Sequence, residues 1–385
     1  MLRIYFATRL RGFFRHLVNS KYIQCQFLSN EQQIYETNNY KTKLKNRLGR
    51  SRIFDWIGFI HIVRCNIEKV DIIGSFNRFI NTSKPYFIYV ENPTALYHYR
   101  LERSKSLLGK IKIKRELNKP NLRGLIFMSY ACASTFEEVC GNIPPVCKRN
   151  VIYPLIPTNL LVTTNFIENR CFEPTLKLLF IAQGMRFLSK GGLELLEAVK
   201  ILNNKGIKIF TRIITSLVDL PIGIENKIRL VPNVKLDDFK FSFQEMQGIY
   251  ASSHLLIQPT SDDSFNLTIL EGMKAGLPII TSKLYAIPEM VEENFNGYLC
   301  EPHYWFFHPN NIPNPEVWNH RSDTIYSGYI SQSIVEFLVN KISYLYFNRN
   351  ELMRMSLNSL KKASNAPFSE TYVASQWNLF LNNLI

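Results

Sequence analysis

Short runs rich in β-branched and aromatic residues alternate along this chain with stretches whose apolar positions recur every three or four residues. That alternation predicts parallel sheets joined by crossover helices. In the first part, residues 2–7, 22–28, 70–73, 87–90 and 125–129 read as strands, and 52–67 has helical apolar spacing. Residues 29–50 are polar and rich in Asn and Lys, which predicts a loop. NVIYPLIPTN at 150–159 carries two prolines and reads as an exit from a first domain. From about Thr175 the pattern restarts, with strands expected at 176–182, 207–214, 227–234, 254–259 and 277–282. Between them, 191–206 is an amphipathic helix with Leu193, Leu196, Val199 and Leu202 on one face. LTILEGMKAG at 267–276 is a second helix stopped by Gly276. Residues 301–328, rich in aromatics, Asn and Pro, look inserted, and a helix closes the chain near 370–384.

The expected class is therefore α/β, with two Rossmann-like doubly wound domains facing a central cleft. We place a first, basic domain at 1–160, a second domain at 161–369, and a C-terminal helix at 370–385 packing back on the first. A length of 385 residues suits two such cores. No apolar run approaches the roughly 18–20 residues that span a bilayer. The N-terminal MLRIYFATRLRGFFRHLV is basic and apolar. Arg3, Arg9 and Arg11 interrupt any signal-peptide core, so a first strand followed by a helix is the preferred reading over a targeting segment.

Charge changes the picture once it is located. Residues 1–150 hold 26 Lys/Arg against 10 Asp/Glu, or +16, while 151–385 hold 20 against 21, or −1, giving the chain's +15. An excess confined to the first domain implies an anionic partner there. With no nucleic-acid motif and no regular basic–aromatic interleaving, an anionic membrane surface or phosphorylated acceptor accounts for it better than nucleic acid. Seven scattered cysteines without a C-x-x-C pair argue against a disulfide framework or zinc site and suit a cytoplasmic chain.

The most specific chemistry lies in HLLIQPTSDDSFNLTILEGMKAGLPIITSKLYAIPEMVEENFNGYLCEP, residues 254–302. A buried strand ends at Pro259, a polar loop follows, and a helix starts near Asn266–Leu267 with Glu271 on its early turns. Amides at such a helix start favour phosphate, and the carboxylates of Asp263 and Glu271 can accept hydrogen bonds from vicinal hydroxyls.

DSFNLTILEGMKAGLPII resembles the signature of the retaining family 4, or group 1, glycosyltransferases of the GT-B fold. That signature is two glutamates separated by seven residues, then a small residue, Met and A-x-G-x-P. Glu271, Met273, Gly276 and Pro278 stand where the pattern expects them. Asp263 replaces the first Glu, and Ser264-Phe265-Asn266 replaces G-F-G. Upstream, strand LLFIA leads through QGMRFLSKGG into a helix, and Lys190-Gly191 fits the family's Lys-Gly. The family's Arg is less well aligned; Gln183 or Met185 falls in its place, and Arg186 is the nearest candidate.

The resemblance implies that Glu271 binds the ribose of a nucleotide-diphosphate-sugar and that Asp263 approaches the donor sugar. It also implies that backbone amides of Ser264, Phe265, Asn266 and Leu267 hold the donor, and that Lys190 and Arg186 neutralise the diphosphate. His98 is the counterpart of a first-domain histidine that relatives set against the sugar, whereas His61 reads as packing and Glu91 as acceptor contact or turn cap. The family transfers with retention, attributed to attack on the face the nucleotide leaves, and needs neither metal nor cofactor. The setting it implies is assembly of a glycan or lipid-linked acceptor, in surface polysaccharide or lipopolysaccharide synthesis, at the inner face of the membrane. The likeness is clear over 175–300, diffuse over 85–156 and poor over 1–80, where the family's Gly-rich loop is missing. Those departures leave open a catalytically degenerate GT-B protein acting as a binding or partner subunit. A nicotinamide-dependent Rossmann enzyme is disfavoured because no G-x-G-x-x-G follows a strand. An epimerase of the same fold would act without an acceptor.

Overall fold

The computed structural model describes residues 1–28 and 52–384; the loop expected over 29–50 lies outside them. The chain divides into two compact units: Met1–Ile156 with Asn310–Pro313 and Pro367–Ile385, and Pro157–Pro309 with Asn314–Ala366.

The first unit is built on a six-stranded parallel sheet in the order β2-β1-β4-β6-β7-β8. Its strands are β1 (Leu2–Phe6), β2 (Cys25–Phe27), β4 (Ile72–Phe76), β6 (Tyr86–Val90), β7 (Leu122–Phe127) and β8 (Lys148–Val151). The central strands β4 and β6 are buried along their whole length, which explains why they read as continuous apolar runs without alternation. β3 (Ile62–Arg64) and β5 (Phe79–Asn81) form a separate parallel pair. The helical spacing read over 52–67 is corrected here: the helix covers only Arg52–Trp56. Gly58, at φ +60°, turns the chain out of it and β3 follows.

The closing helix Glu370–Asn382 belongs to this unit. Its Trp377 stacks on Tyr89 at 5.7 Å and meets Phe87 edge-on at 5.9 Å. Gly124 makes room for it, since a Cβ there would stand 2.5 Å from the Phe380 ring.

The second unit carries β9 (Leu176–Ile181), β10 (Ile209–Thr215), β11 (Val234–Asp238), β12 (Leu255–Gln258), β13 (Ile279–Ser282) and β14 (Gly297–Cys300). All are parallel, in the order β11-β10-β9-β12-β13-β14. Numbered from the first strand of the unit, that order is 3-2-1-4-5-6, the Rossmann arrangement, and its strand order reverses between β9 and β12. The strand expected over 227–234 is corrected: Ile224–Arg229 is a helix, and β11 begins only at Val234. Ile224 and Ile228, four apart, are both buried, whereas Leu230 is exposed. Among the described residues, no helix is long and apolar enough to cross a membrane.

Candidate functional site

In an open parallel sheet, the loops leaving two strands at the reversal point diverge and leave a crevice at their carboxyl ends. Here those loops follow β9 and β12. The first carries Arg186 and Lys190, the second Asp262 and Asp263.

The two loops are pinned together. Gly191 adopts φ +78°, and a Cβ on it would lie 2.5 Å from Pro259 Cγ and 2.7 Å from the Pro259 carbonyl oxygen. The Ser261 amide donates to the Ser189 carbonyl at 2.8 Å. Gly191 is also the N-cap of the helix Gly192–Asn204, so the residue before it, Lys190, is fixed at the mouth of that helix. Lys190 Nζ forms a buried ion pair with the Asp263 carboxylate. Burial pushes the Lys190 ammonium below the ordinary lysine range, against the opposing pull of Asp263. Beside it, Arg186 Nη2 lies 3.2 Å from Asp262 Oδ2 and donates to the Asp262 carbonyl at 3.1 Å. The Asp262 charge raises the Arg186 guanidinium's pKa, so it stays a cation. Two ion pairs thus join the loop after β9 to the loop after β12.

Glu271 is half-buried on the helix Leu267–Lys274. Its Oε2 accepts a 2.6 Å hydrogen bond from the hydroxyl of Tyr250, on the helix Phe243–Ser252. Burial raises the Glu271 pKa above the usual carboxylate range, and the Tyr250 bond partly offsets it. Arg170 holds the same two helices at their C-terminal ends. It donates to the carbonyls of Ala251 (2.9 Å), Ala275 (3.1 Å) and Gly276 (2.7 Å), where a buried cation complements both helix dipoles.

The start of the Glu271 helix depends on Asn266, which adopts φ +67°. Asparagine is one of few residues other than glycine that enters this region readily, so it can stand where the signature has Gly. Asn266 Nδ2 donates to Gln258 Oε1 at 3.3 Å, and Gln258 Nε2 donates to the Ile181 carbonyl at 2.5 Å. The amide pair therefore ties the loop to the ends of β12 and β9. Asn266 Oδ1 is buried and has no hydrogen-bond partner among the described residues. Phe265 is buried, whereas Ser264 and Leu267 are half-buried. Amides in a first helical turn lack intrahelical acceptors, which makes this turn suited to an anion or a hydroxyl oxygen.

His98 belongs to the first unit. It caps the short 3-10 helix Pro93–Tyr97 at φ +56°, and its ring stacks on His61 at 5.2 Å and on Phe59 at 5.7 Å. His61, read as lying in a helix, precedes β3 instead. Glu91 forms an ion pair with Arg11 from the loop after β1, and its amide donates to Asn77 Oδ1 at 2.8 Å.

Sequence reasoning missed Tyr250, Arg170 and Gln258, all of which act through contacts that no local spacing reveals. It noted Asp262 only as half of an acidic dipeptide. Tyr326, in the segment that looks inserted, titrates high through burial and the Asp262 charge, which brings it to the same corner.

Residues 176–305 match the family model described as group 1 glycosyl transferases. N-acetyl-alpha-D-glucosaminyl L-malate synthase of Bacillus anthracis is 31% identical over 99 residues, 24% of this chain and 26% of that protein. A sulfoquinovosyl transferase of Arabidopsis thaliana is 30% identical over 61 residues, 15% of this chain and 12% of that protein. The matches thus span about a quarter or less of these relatives' length. Whole-chain likeness comes from structures. HepE of Anabaena, solved with UDP-glucose, has a TM-score of 0.64 at 14% identity, covering 99% of this chain and 100% of that one. WaaG, a glycosyltransferase of lipopolysaccharide biosynthesis, has a TM-score of 0.58 at 12% identity, covering 98% of each chain. The chain accordingly has the GT-B fold, and residues 176–305 of its second unit are similar to the group 1 glycosyl transferase domain.

Proposed function

We propose that this protein is a glycosyltransferase moving a sugar from a nucleotide-diphosphate-sugar to a glycan or lipid-linked acceptor, with retention, in cell-surface polysaccharide or lipopolysaccharide synthesis. The observation that supports the reading is the pairing of Lys190 with Asp263 and of Arg186 with Asp262 between the loops that leave β9 and β12, with Glu271 on the helix that follows the second loop. Breaking a sugar–diphosphate bond puts negative charge on the departing phosphate, and fixed cations at that spot lower the barrier. Lys190 and Arg186 supply them. Glu271 accepts the ribose hydroxyls, Asp263 orients the donor sugar next to Lys190, and the amides of Ser264 to Leu267 hold the donor. Asn266 Oδ1 is a further acceptor for a donor hydroxyl. His98 of the first unit serves the donor sugar. No metal or cofactor enters this scheme.

HepE, solved with UDP-glucose, makes a UDP-sugar the first donor to test. The basic first part of the chain suits an acceptor carried on, or beside, an anionic membrane at its cytoplasmic face. Incubating the protein with UDP-sugars and membrane extract, then reading the product's anomeric proton coupling by NMR, tests donor, acceptor and stereochemistry together. An α-linked product from an α-linked donor is expected. Inversion would remove the retaining assignment, and donor binding without transfer or hydrolysis would favour the degenerate-subunit reading.

A further inference from the structure

The first unit has a reversal point of its own. Numbered within that unit, its strands lie in the order 2-1-3-4-5-6. The chain steps from β1 out to β2, then crosses back to set β4 on the other side of β1. The loops leaving β1 and β4 therefore diverge, and a second crevice lies at their carboxyl ends. Three loops supply its side chains: Thr8 and Arg11 after β1, Asn77 and Arg78 after β4, and Glu91 after β6. They are fixed against one another. Thr8 Oγ1 accepts from the Phe76 amide at 2.7 Å, and Asn77 Oδ1 accepts from the Glu91 amide at 2.8 Å. Arg11 forms an ion pair with Glu91. Arg78, half-buried, donates through Nη1 alone, to the carbonyls of Asn77 at 2.6 Å and Ala95 at 2.7 Å.

The hydrogen-bonding capacity left over in this corner is all of one kind. Asn77 is 3% exposed, and its Nδ2 is buried with no hydrogen-bond partner among the described residues. Because Oδ1 takes the Glu91 amide, the side chain's orientation is fixed and the orphan atom is a donor. Next to it, Arg78 Nε and Nη2 make no hydrogen bond among the described residues. The carboxylate of Glu91 is matched by Arg11, so the Arg78 charge is the surplus. Donors without acceptors offer nothing to a metal cation, and a neutral sugar would leave that charge unmatched. Phosphate and carboxylate oxygens suit the planar edge of a guanidinium. We propose that this crevice binds the acceptor through a phosphate or carboxylate group, held by the Nε–Nη2 edge of Arg78 and by Asn77 Nδ2. The inference rests on the glycosyltransferase reading above and adds the charge of the acceptor and the residues that select it.

The test uses the full-length chain and saturation-transfer NMR, with glucose 6-phosphate, glucuronate and glucose as probes. Wild type should saturate a charged sugar, and which of the two it favours separates phosphate from carboxylate. Glucose should bind about tenfold more weakly. Asn77→Asp keeps an oxygen for the Glu91 amide and tolerates the φ of +56°, but replaces the orphan donor with an acceptor. It should weaken charged-sugar binding about tenfold, with the melting temperature confirming a folded chain. Arg78→Lys keeps a cation, loses the planar edge and should also weaken binding. Lys190→Met, in the second unit, should leave the charged-sugar signal intact. The inference is overturned if glucose binds as well as the charged sugars, if neither charged sugar binds, or if both first-unit variants bind them like wild type. A nucleotide-diphosphate-sugar screen on the same samples keeps the two readings apart. If a donor binds wild type while charged sugars fail, this inference alone is lost; if no donor binds, the function it rests on is lost too.

Discussion

Lys190 and Glu271 are held in opposite protonation balances by the same cause. Burial lowers the first and raises the second, so each charged form is less secure than on a surface. Donor binding should therefore follow a bell in pH, falling on the acid side as Glu271 gains a proton and on the alkaline side as Lys190 loses one. Titrating donor affinity against pH checks this, and Lys190→Arg should move the alkaline limb upward. The stability consequence has the reverse sense for Glu271. Its folded pKa lies above the unfolded value, so the folded state binds the proton more readily. Stability thus declines as pH rises through that interval. Glu271→Gln, which keeps an acceptor for Tyr250, should leave the melting temperature at neutral pH equal or higher while donor affinity falls at least tenfold. Gly191 is constrained by geometry instead. Gly191→Ala meets both positive φ and the Pro259 wall, a strain of about 1–3 kcal/mol. Calorimetry should show lowered stability, and weaker donor binding as Lys190 shifts with its neighbour.

Among elements, the helices carrying Tyr250 and Glu271 behave as one piece because Arg170 joins their ends and the 2.6 Å hydrogen bond joins them between. Arg170→Met leaves three buried carbonyls without their donor and should cost about 3 kcal/mol in denaturant unfolding. His254, leading into β12, is buried with Nδ1 accepting from the Lys177 amide at 3.0 Å and Nε2 at 2.6 Å from the Arg170 carbonyl. Burial lowers its pKa to about 4. The unfolded chain takes up that proton near 6.5, so stability is lost as pH falls from about 6.5 to 4, by about 3 kcal/mol. Unfolding curves at pH 7 and pH 4.5 measure it.

Strands were legible in the sequence where burial is complete on both faces, as at β4, β6 and β12. They were not legible where a short run meets a turn. Ile224 and Ile228 set a helix beside a run that alternates, and Gly58 cuts a helix that the apolar spacing would continue. β8, with an exposed Lys148 and Arg149, has no apolar signature at all.

At the scale of the molecule, the two parallel sheets and the location of the donor-side motifs could be read from periodicity and from DSFNLTILEGMKAG. Strand order could not, and it is the order that makes Lys190 and Asp263 neighbours across 73 positions of chain. The charge imbalance was visible at once, but its meaning depends on which residues turn outward. Residues 176–305 of the second unit match the family model, while the first unit lies outside that match.

On the function proposed above, the β9–β12 crevice binds a nucleotide-diphosphate-sugar through Lys190 and Glu271. Saturation-transfer NMR on UDP-, GDP-, ADP- and CMP-linked sugars, with wild type, Lys190→Met and Glu271→Gln, tests it most directly. Wild type should saturate the ribose and sugar protons of one diphosphate-linked donor, and both variants should lose the signal. Equal saturation in all three proteins, or none with any donor in wild type, would contradict it.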